Sequence, residues 1–393
     1  MSDTFLTVRG FSTLPPLSLY IHLPWCIRKC PYCDFNSHHA GDSIPELQYV
    51  GALLRDLEQE LPAIWGRRLT SIFIGGGTPS LFSPESLDRL LSGIRARISC
   101  LPDMEITLEA NPGTFEQQKF NEYRALGINR LSLGIQSFND DALQQLGRVH
   151  SGLEAHRAAE HAKKTGFDNL NLDLMFGLPG QNHHQALSDI QTAIALQPSH
   201  ISYYQLTIEE GTRFHQYPPT LPESDAVWGR LTQSQELLAI AGYRQYEVSA
   251  YGQEGRQCRH NLNYWQFGDY IGIGAGAHGK ISRADDGSIC RRWKIRHPQH
   301  YMEHSGATGV IAGEQTIQDN DIPLEFMMNA LRLKEGFEAP LFEAHTGCSM
   351  DVLQPKLQQA LEAGLLTWNQ SRDRIQPTEQ GYRFLNNLLE IFL

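Results

Sequence analysis

Three cysteines stand within eight positions, at Cys26, Cys30 and Cys33 in YIHLPWCIRKCPYCDFNSHH, residues 20–39. Thiolates are soft metal donors, and a CxxxCxxC spacing on one loop points to metal or cluster chemistry. A cubane iron–sulfur cluster has four irons, so three thiolates leave one iron open to a further ligand. A tetrahedral zinc completed by His22, His38 or His39 is the alternative that the spacing allows. Zinc loops usually pair two knuckles from separate parts of a chain, whereas here all three cysteines share one loop. The chain has 7 cysteines, an odd number, and its start has no apolar core of a secretory signal, which favours ligation over disulfides. The scattered Cys100, Cys258, Cys290 and Cys348 read as small buried apolar residues.

Other residues with chemical capacity recur at the ends of predicted strands. The run GGGTP, residues 75–79, lets backbone approach a ligand closely and offers N–H groups to a carboxylate. Glu109 stands in EANP, Gln136 in GIQSF and Asp173 in NLDLMFGLPG. One polar group per strand end is what a ring around a single pocket requires.

The elements that position them alternate along the chain. Strand patterns at 17–23, 71–75, 104–110, 130–136, 168–177 and 200–209 are each followed by a helical pattern, such as 44–65 or the helix entered at Ser83 with Pro84 in its first turn. Six βα units predict an α/β fold, an incomplete (β/α)6 TIM-like barrel over residues 17–250 after an N-terminal tail, 1–16. Distinctive residues at strand C-terminal ends lie where barrel sites lie. Residues 251–318, Gly-rich and aromatic, read as a connecting or lid segment. Residues 319–393 predict a small helical, winged-helix-like C-terminal domain.

A formal charge of -11 argues against a nucleic-acid substrate. No apolar run reaches the roughly 18 residues of a membrane span, so a cytoplasmic protein is expected.

On the three-cysteine loop, the glycine run and the strand-end residues, the sequence resembles the radical S-adenosylmethionine superfamily. It is most similar to the HemN-type branch, that of oxygen-independent coproporphyrinogen III dehydrogenases, and within it to the HemW-type haem chaperones. The resemblance spans residue 17 to the C-terminus. It implies that Cys26, Cys30 and Cys33 hold a [4Fe-4S] cluster whose open iron chelates S-adenosylmethionine. By the same resemblance Tyr20, Gly76, Glu109 and Arg148 line the S-adenosylmethionine site, and Tyr32, Gly77, Thr78, Gln136 and Asp173 surround a second one. It also implies radical cleavage of the cofactor in enzymes of the branch.

Two differences set this chain apart from the dehydrogenases. Phe35 stands where they carry a fourth cysteine, and Tyr20 comes early where they have a longer covering segment. The chaperone group carries an HNxxYW motif associated with haem, and His260, Asn261, Tyr264 and Trp265 match it. An imidazole can ligate iron while Tyr264 and Trp265 stack on the macrocycle. Cys258 is a second conceivable ligand, and the basic stretch RRWKIRHPQH, residues 291–300, suits haem propionates. The expected function is a haem chaperone, with haem as cargo and acceptor apo-haem proteins as partners, including ones at the membrane, working as a monomer or homodimer. The alternative is coproporphyrinogen III dehydrogenase, which oxidatively decarboxylates two propionates in haem biosynthesis. A tRNA-modifying radical enzyme fits the acidic charge poorly.

Overall fold

The two faces of the central sheet are set by alternation. In Leu17–Leu23 (β1) the residues Leu17, Leu19, Ile21 and Leu23 are fully buried on one face, and Ser18, Tyr20 and His22 turn to the other. The same alternation recurs in Leu69–Gly76 (β2), Cys100–Ala110 (β3), Arg130–Gln136 (β4), Asn169–Phe176 (β5) and His200–Gln205 (β6). The apolar face packs under helices Glu46–Glu60 (α1), Pro84–Arg95 (α2), Gly152–Lys164 (α3) and His183–Ala195 (α4), and together they form the main core. Local signals enter these helices as the sequence predicts. Ser83 caps α2 ahead of Pro84, and Ser151 with Glu154 closes a capping box on α3.

The computed structural model describes residues 10–306 and 308–393. Of the expected N-terminal tail, residues 1–9 lie outside the described residues. Further strands are Arg244–Glu247 (β7), Ala250–Gly252 (β8), Asp269–Ile273 (β9), His278–Ser282 (β10), Ile289–Lys294 (β11) and Ile311–Thr316 (β12). One open mixed sheet runs β12-β11-β10-β9-β1-β2-β3-β4-β5-β6-β8-β7. From β9 to β6 all neighbours are parallel, and the flanking pairs are antiparallel. The expected partial barrel of six βα units is therefore present, not closed into a full barrel.

Residues 251–318, read from the sequence as a connecting or lid segment, instead widen the main sheet by β9–β12. They also supply the short helix Arg259–Trp265 (α5), which packs against β1, β2 and β9. The C-terminal region has its own core, built from Ile322, Phe326, Phe337, Phe342, Leu357 and Ile375 among others. Its helices surround a small antiparallel sheet ordered Phe337–Glu338, Arg374–Pro377, Leu366–Trp368, matching the small helical domain with a strand pair around a turn.

The polar face of the parallel strands carries Ser71, Thr107, Glu109, Ser132, Asn171 and Asp173. In register, Glu109 lies beside Ser132, Ser132 beside Asn171 and Asn171 beside His200. A parallel sheet packed on both faces reads as continuous apolar runs. Here one face is polar because it walls a cavity.

Candidate functional site

The cysteine loop leaves β1 and returns through a two-residue parallel bridge, Trp25–Cys26 against His38–His39. His38 N–H donates to Pro24 O at 2.7 Å, and Ala40 N–H to Cys26 O at 2.9 Å, closing the loop at its base. Cys33 N–H donates to Cys30 O at 3.2 Å, turning the three thiols to one side. All three thiols are free and line a cavity of about 400 Å³ at the strand C-terminal ends. Burial raises the Cys26 and Cys33 thiols above their ordinary range, so they favour the neutral form until a metal displaces the proton. Thr78 Oγ1 lies 3.6 Å from Cys26 Sγ and Arg148 Nη1 3.7 Å from Cys30 Sγ, donors suited to sulfur that carries negative charge.

Among the described residues no three His, Cys, Asp or Glu side chains are arranged to hold a single metal ion. The histidines weighed as a fourth zinc ligand are engaged elsewhere. His22 bonds Tyr20 OH at 2.9 Å and Asn36 O at 2.8 Å, His38 meets Asn36 Oδ1 at 3.3 Å, and His39 Nδ1 accepts from Gly41 N–H at 3.0 Å.

The glycine run forms the next wall. Gly76 has φ +116°, outside the range of most side chains, and its N–H donates to Glu109 Oε2 at 3.2 Å. A Cβ on Gly77 would lie 2.5 Å from Trp25 O, so this position holds the loop against β2 only as glycine. Gln136 ends β4 at φ 69°, beside a register shift between Gly134 and Gln136. A non-glycine residue held left-handed is a feature that functional sites concentrate.

Glu109 and Asp173 face the same cavity from β3 and β5. Burial first, then the charge of Asp173, pushes the Glu109 carboxyl up to about 8. Burial also raises Asp173, although Asn171, Tyr204 and Ser132 donate to it at 2.8, 3.0 and 3.1 Å. Arg148 reaches across from the opposite side, donating to Asn111 Oδ1 and Gly134 O, both at 2.7 Å, beside Tyr32. The arrangement offers carboxylates to an ammonium group and a guanidinium near the sulfurs, while the N–H groups of Gly76, Gly77 and Thr78 donate to Glu109 Oε2, Leu23 O and Trp25 O.

Eleven of the sequence-predicted positions thus converge on one cavity: the three cysteines with Tyr32, Gly76, Gly77, Thr78, Glu109, Gln136, Arg148 and Asp173. Tyr20 does not line it; its ring stacks on Phe73 behind the wall. Asn111, Ser132 and Tyr204 line it and were not predicted. Asn111 sits in the same EANP stretch as Glu109, and Tyr204 falls at the polar end of β6, so strand-end position was the available signal.

The HNxxYW residues are placed elsewhere. Helix α5 lies against the polar face of the sheet, below the cavity. His260 is 1% exposed, with Nδ1 bonded to Ser71 Oγ at 2.9 Å, Nε2 to Tyr264 OH at 3.1 Å, and its ring stacked on Phe73. Burial lowers its imidazole to about 3, so it stays neutral. As placed, the ring meets no haem iron without giving up one of these bonds. Tyr264 packs edge-on against Tyr270, and Trp265 lies under the Arg332 guanidinium at 4.3 Å. Asn261 is half-buried on the same helix. Cys258 S–H points at Glu105 Oε1, 3.5 Å away, and burial pushes this thiol up to about 12, so the suggested thiolate ligand is a protonated, enclosed thiol.

An open parallel α/β sheet with a three-cysteine loop over its strand ends defines a radical S-adenosylmethionine protein. A Radical SAM superfamily model matches residues 20–193, and a HemN C-terminal domain model matches residues 317–384. The chain belongs to the HemW family within that superfamily. It is 50% identical over 380 residues to the heme chaperone HemW of Escherichia coli, covering 97% of this chain and 99% of that protein. It is 33% identical over 382 residues to heme chaperone HemW of Lactococcus lactis, covering 96% and 97%. Coproporphyrinogen III oxidase (HemN) of Escherichia coli, a radical SAM enzyme, shares the fold at TM-score 0.81 and 21% identity, over 100% of this chain and 93% of that one. Among the described residues no helix is long and apolar enough to cross a membrane.

Proposed function

We propose that this protein is a haem chaperone that binds haem, holds a [4Fe-4S] cluster with S-adenosylmethionine, and delivers haem to acceptor proteins such as respiratory haem enzymes. What carries the reading is end-to-end similarity to relatives named heme chaperones. Cys26, Cys30 and Cys33 would hold the cluster. Loaded there, it supplies an electron and an open coordination position.

The chain's own residues do the rest. Gly76, Gly77 and Thr78 bring backbone to a bound amino acid, Glu109 stands where an ammonium group is matched, and Arg148 holds positive charge beside Cys30. Because Glu109 titrates near 8, it is largely neutral at pH 7 before an ammonium arrives. Pairing favours the carboxylate, so binding releases a proton and tightens as pH rises from about 6 to 8. In calorimetric titrations of cluster-loaded protein, S-adenosylmethionine affinity should rise across that window. Glu109→Gln should bind more weakly with a flat profile, and a parent profile that is flat overturns the role of Glu109.

Phe35 presents 59% of its surface at the cavity mouth where a thiol would stand in the dehydrogenases. Anaerobic incubation with coproporphyrinogen III, S-adenosylmethionine and reductant is expected to give no divinyl product, while haem added to the same preparation binds saturably. Multiple turnovers to protoporphyrinogen would move the protein to the dehydrogenase class.

A further inference from the structure

His260 is enclosed, but other imidazoles gather on the surface beside the cysteine loop. His38, at the base of that loop, lies edge-on to His297 with ring centroids 5.7 Å apart, and His297 lies 4.7 Å from His300. His297 and His300 are exposed, and among the described residues neither ring has a hydrogen-bond partner. Two segments far apart in sequence are tied together here. Asn36 Nδ2 donates to Ala275 O and Arg296 O, both at 2.8 Å, which fixes the histidine strip against the residue following Phe35.

The surroundings have the character of a haem site. Phe35 is an exposed aromatic ring next to Asn36, and haem iron asks for one or two imidazoles rather than a cage. The charge pattern agrees. In the basic stretch, Arg291 pairs with Glu325, Arg292 with Glu60 and Glu314, and Lys294 with Asp56 and Glu60. Arg296 has no ion pair among the described residues, and neither has Lys29, whose ammonium donates to Phe35 O at 3.2 Å. Two uncommitted cations flank the imidazoles of an acidic protein, as two propionates would require.

We propose that haem docks on this face, with His297 as axial ligand, Phe35 against the macrocycle, and Lys29 and Arg296 on the propionates. The inference rests on the haem-chaperone reading and departs from it in the site. It places haem on the loop that carries the cysteines, so that cargo and cluster share Lys29–Phe35 as common ground.

The test is a titration of the full-length, cluster-reconstituted chain with ferric haem, followed by Soret absorption and by electron paramagnetic resonance for the ligand set. His297→Ala should weaken binding about 10- to 100-fold and change the ligand signature. The double variant His297→Ala/His300→Ala, which also removes the neighbouring ring, should lose imidazole ligation altogether. Lys29→Ala/Arg296→Ala should weaken binding with the signature kept. His183→Ala/His184→Ala, exposed imidazoles on α4, serves as control. Unchanged cluster content checks that each variant is folded, and His297→Ala alone decides if the double variant is not. If the parent shows no saturable haem binding, the chaperone reading falls and this site with it. If the parent binds haem and His297→Ala and the double variant match it in affinity and spectrum, the site is wrong while the chaperone reading stands. Equal weakening in the α4 control would mean adventitious histidine binding and would also overturn it.

Discussion

Replacing Cys26, Cys30 or Cys33 by alanine is expected to abolish the cluster in each single variant, leaving anaerobically reconstituted protein without the roughly four irons and the sulfur-to-iron absorption of the parent. The loss should be complete rather than graded. The three thiols sit on one loop over one cavity, and the histidines flanking that loop in sequence, His22, His38 and His39, are all hydrogen-bonded and not free to replace a missing sulfur. The fold should survive, because the loop is held at its base by backbone bonds from His38 and Ala40 and not by the sulfurs. Metal analysis alongside circular dichroism checks both halves. A full cluster in any variant, or stoichiometric zinc in the parent, would reject the assignment.

Much of this site was legible because strand ends are easy to read. An apolar alternation followed by a helical pattern gives a βα unit, and the residue at its C-terminal end must face the open side of a parallel sheet. That is why Gly76, Glu109, Gln136 and Asp173, chosen for position and polarity, line the same cavity. Tyr20, which the resemblance alone implied, sits in the middle of β1 with its hydroxyl bonded to His22 Nδ1, a choice of partner that alternation does not encode.

Residues 251–318 were harder to read for a physical reason. Strand β9 pairs with β1, more than two hundred residues earlier, and glycine-rich text near Gly274 and Gly276 gives no apolar period to reveal it. Similarly, the HNxxYW spacing places His260 and Tyr264 one helical turn apart on α5, where they bond each other, and not on a loop open to a ligand. The histidine face beside Phe35 was invisible to spacing altogether, since His38 and His297 meet only through the fold.

Lys294→Met should be among the most destabilising single changes in the protein, by about 3–5 kcal/mol, because it strands buried carboxylates without their cation. Lys294 is 2% exposed and donates to Asp56 Oδ1 at 2.7 Å and Glu60 Oε1 at 2.6 Å, joining β11 to α1. Burial alone would push its ammonium towards neutrality, but the two carboxylates outweigh it and hold it charged. Burial likewise raises Asp56, against the pull of Lys294 and Tyr301. We take the pair as ionised, since Asp56 accepts from three donors: Lys294, the Tyr301 hydroxyl at 2.6 Å and Gly274 N–H at 3.3 Å. Without Lys294, Asp56 stays buried without its cation, and its folded pKa rises further above the unfolded one. The folded variant then binds more protons than the unfolded chain, so its stability improves as pH falls through the raised value and is lost as pH rises. Denaturant unfolding of parent and variant at several pH values measures both effects. The deficit should shrink towards acid, and a deficit independent of pH would assign the damage to lost packing instead. Because Lys294 stands two residues before Arg296 and three before His297, the same variant should also loosen the histidine face. Weaker haem binding is then expected under conditions where the chain remains folded.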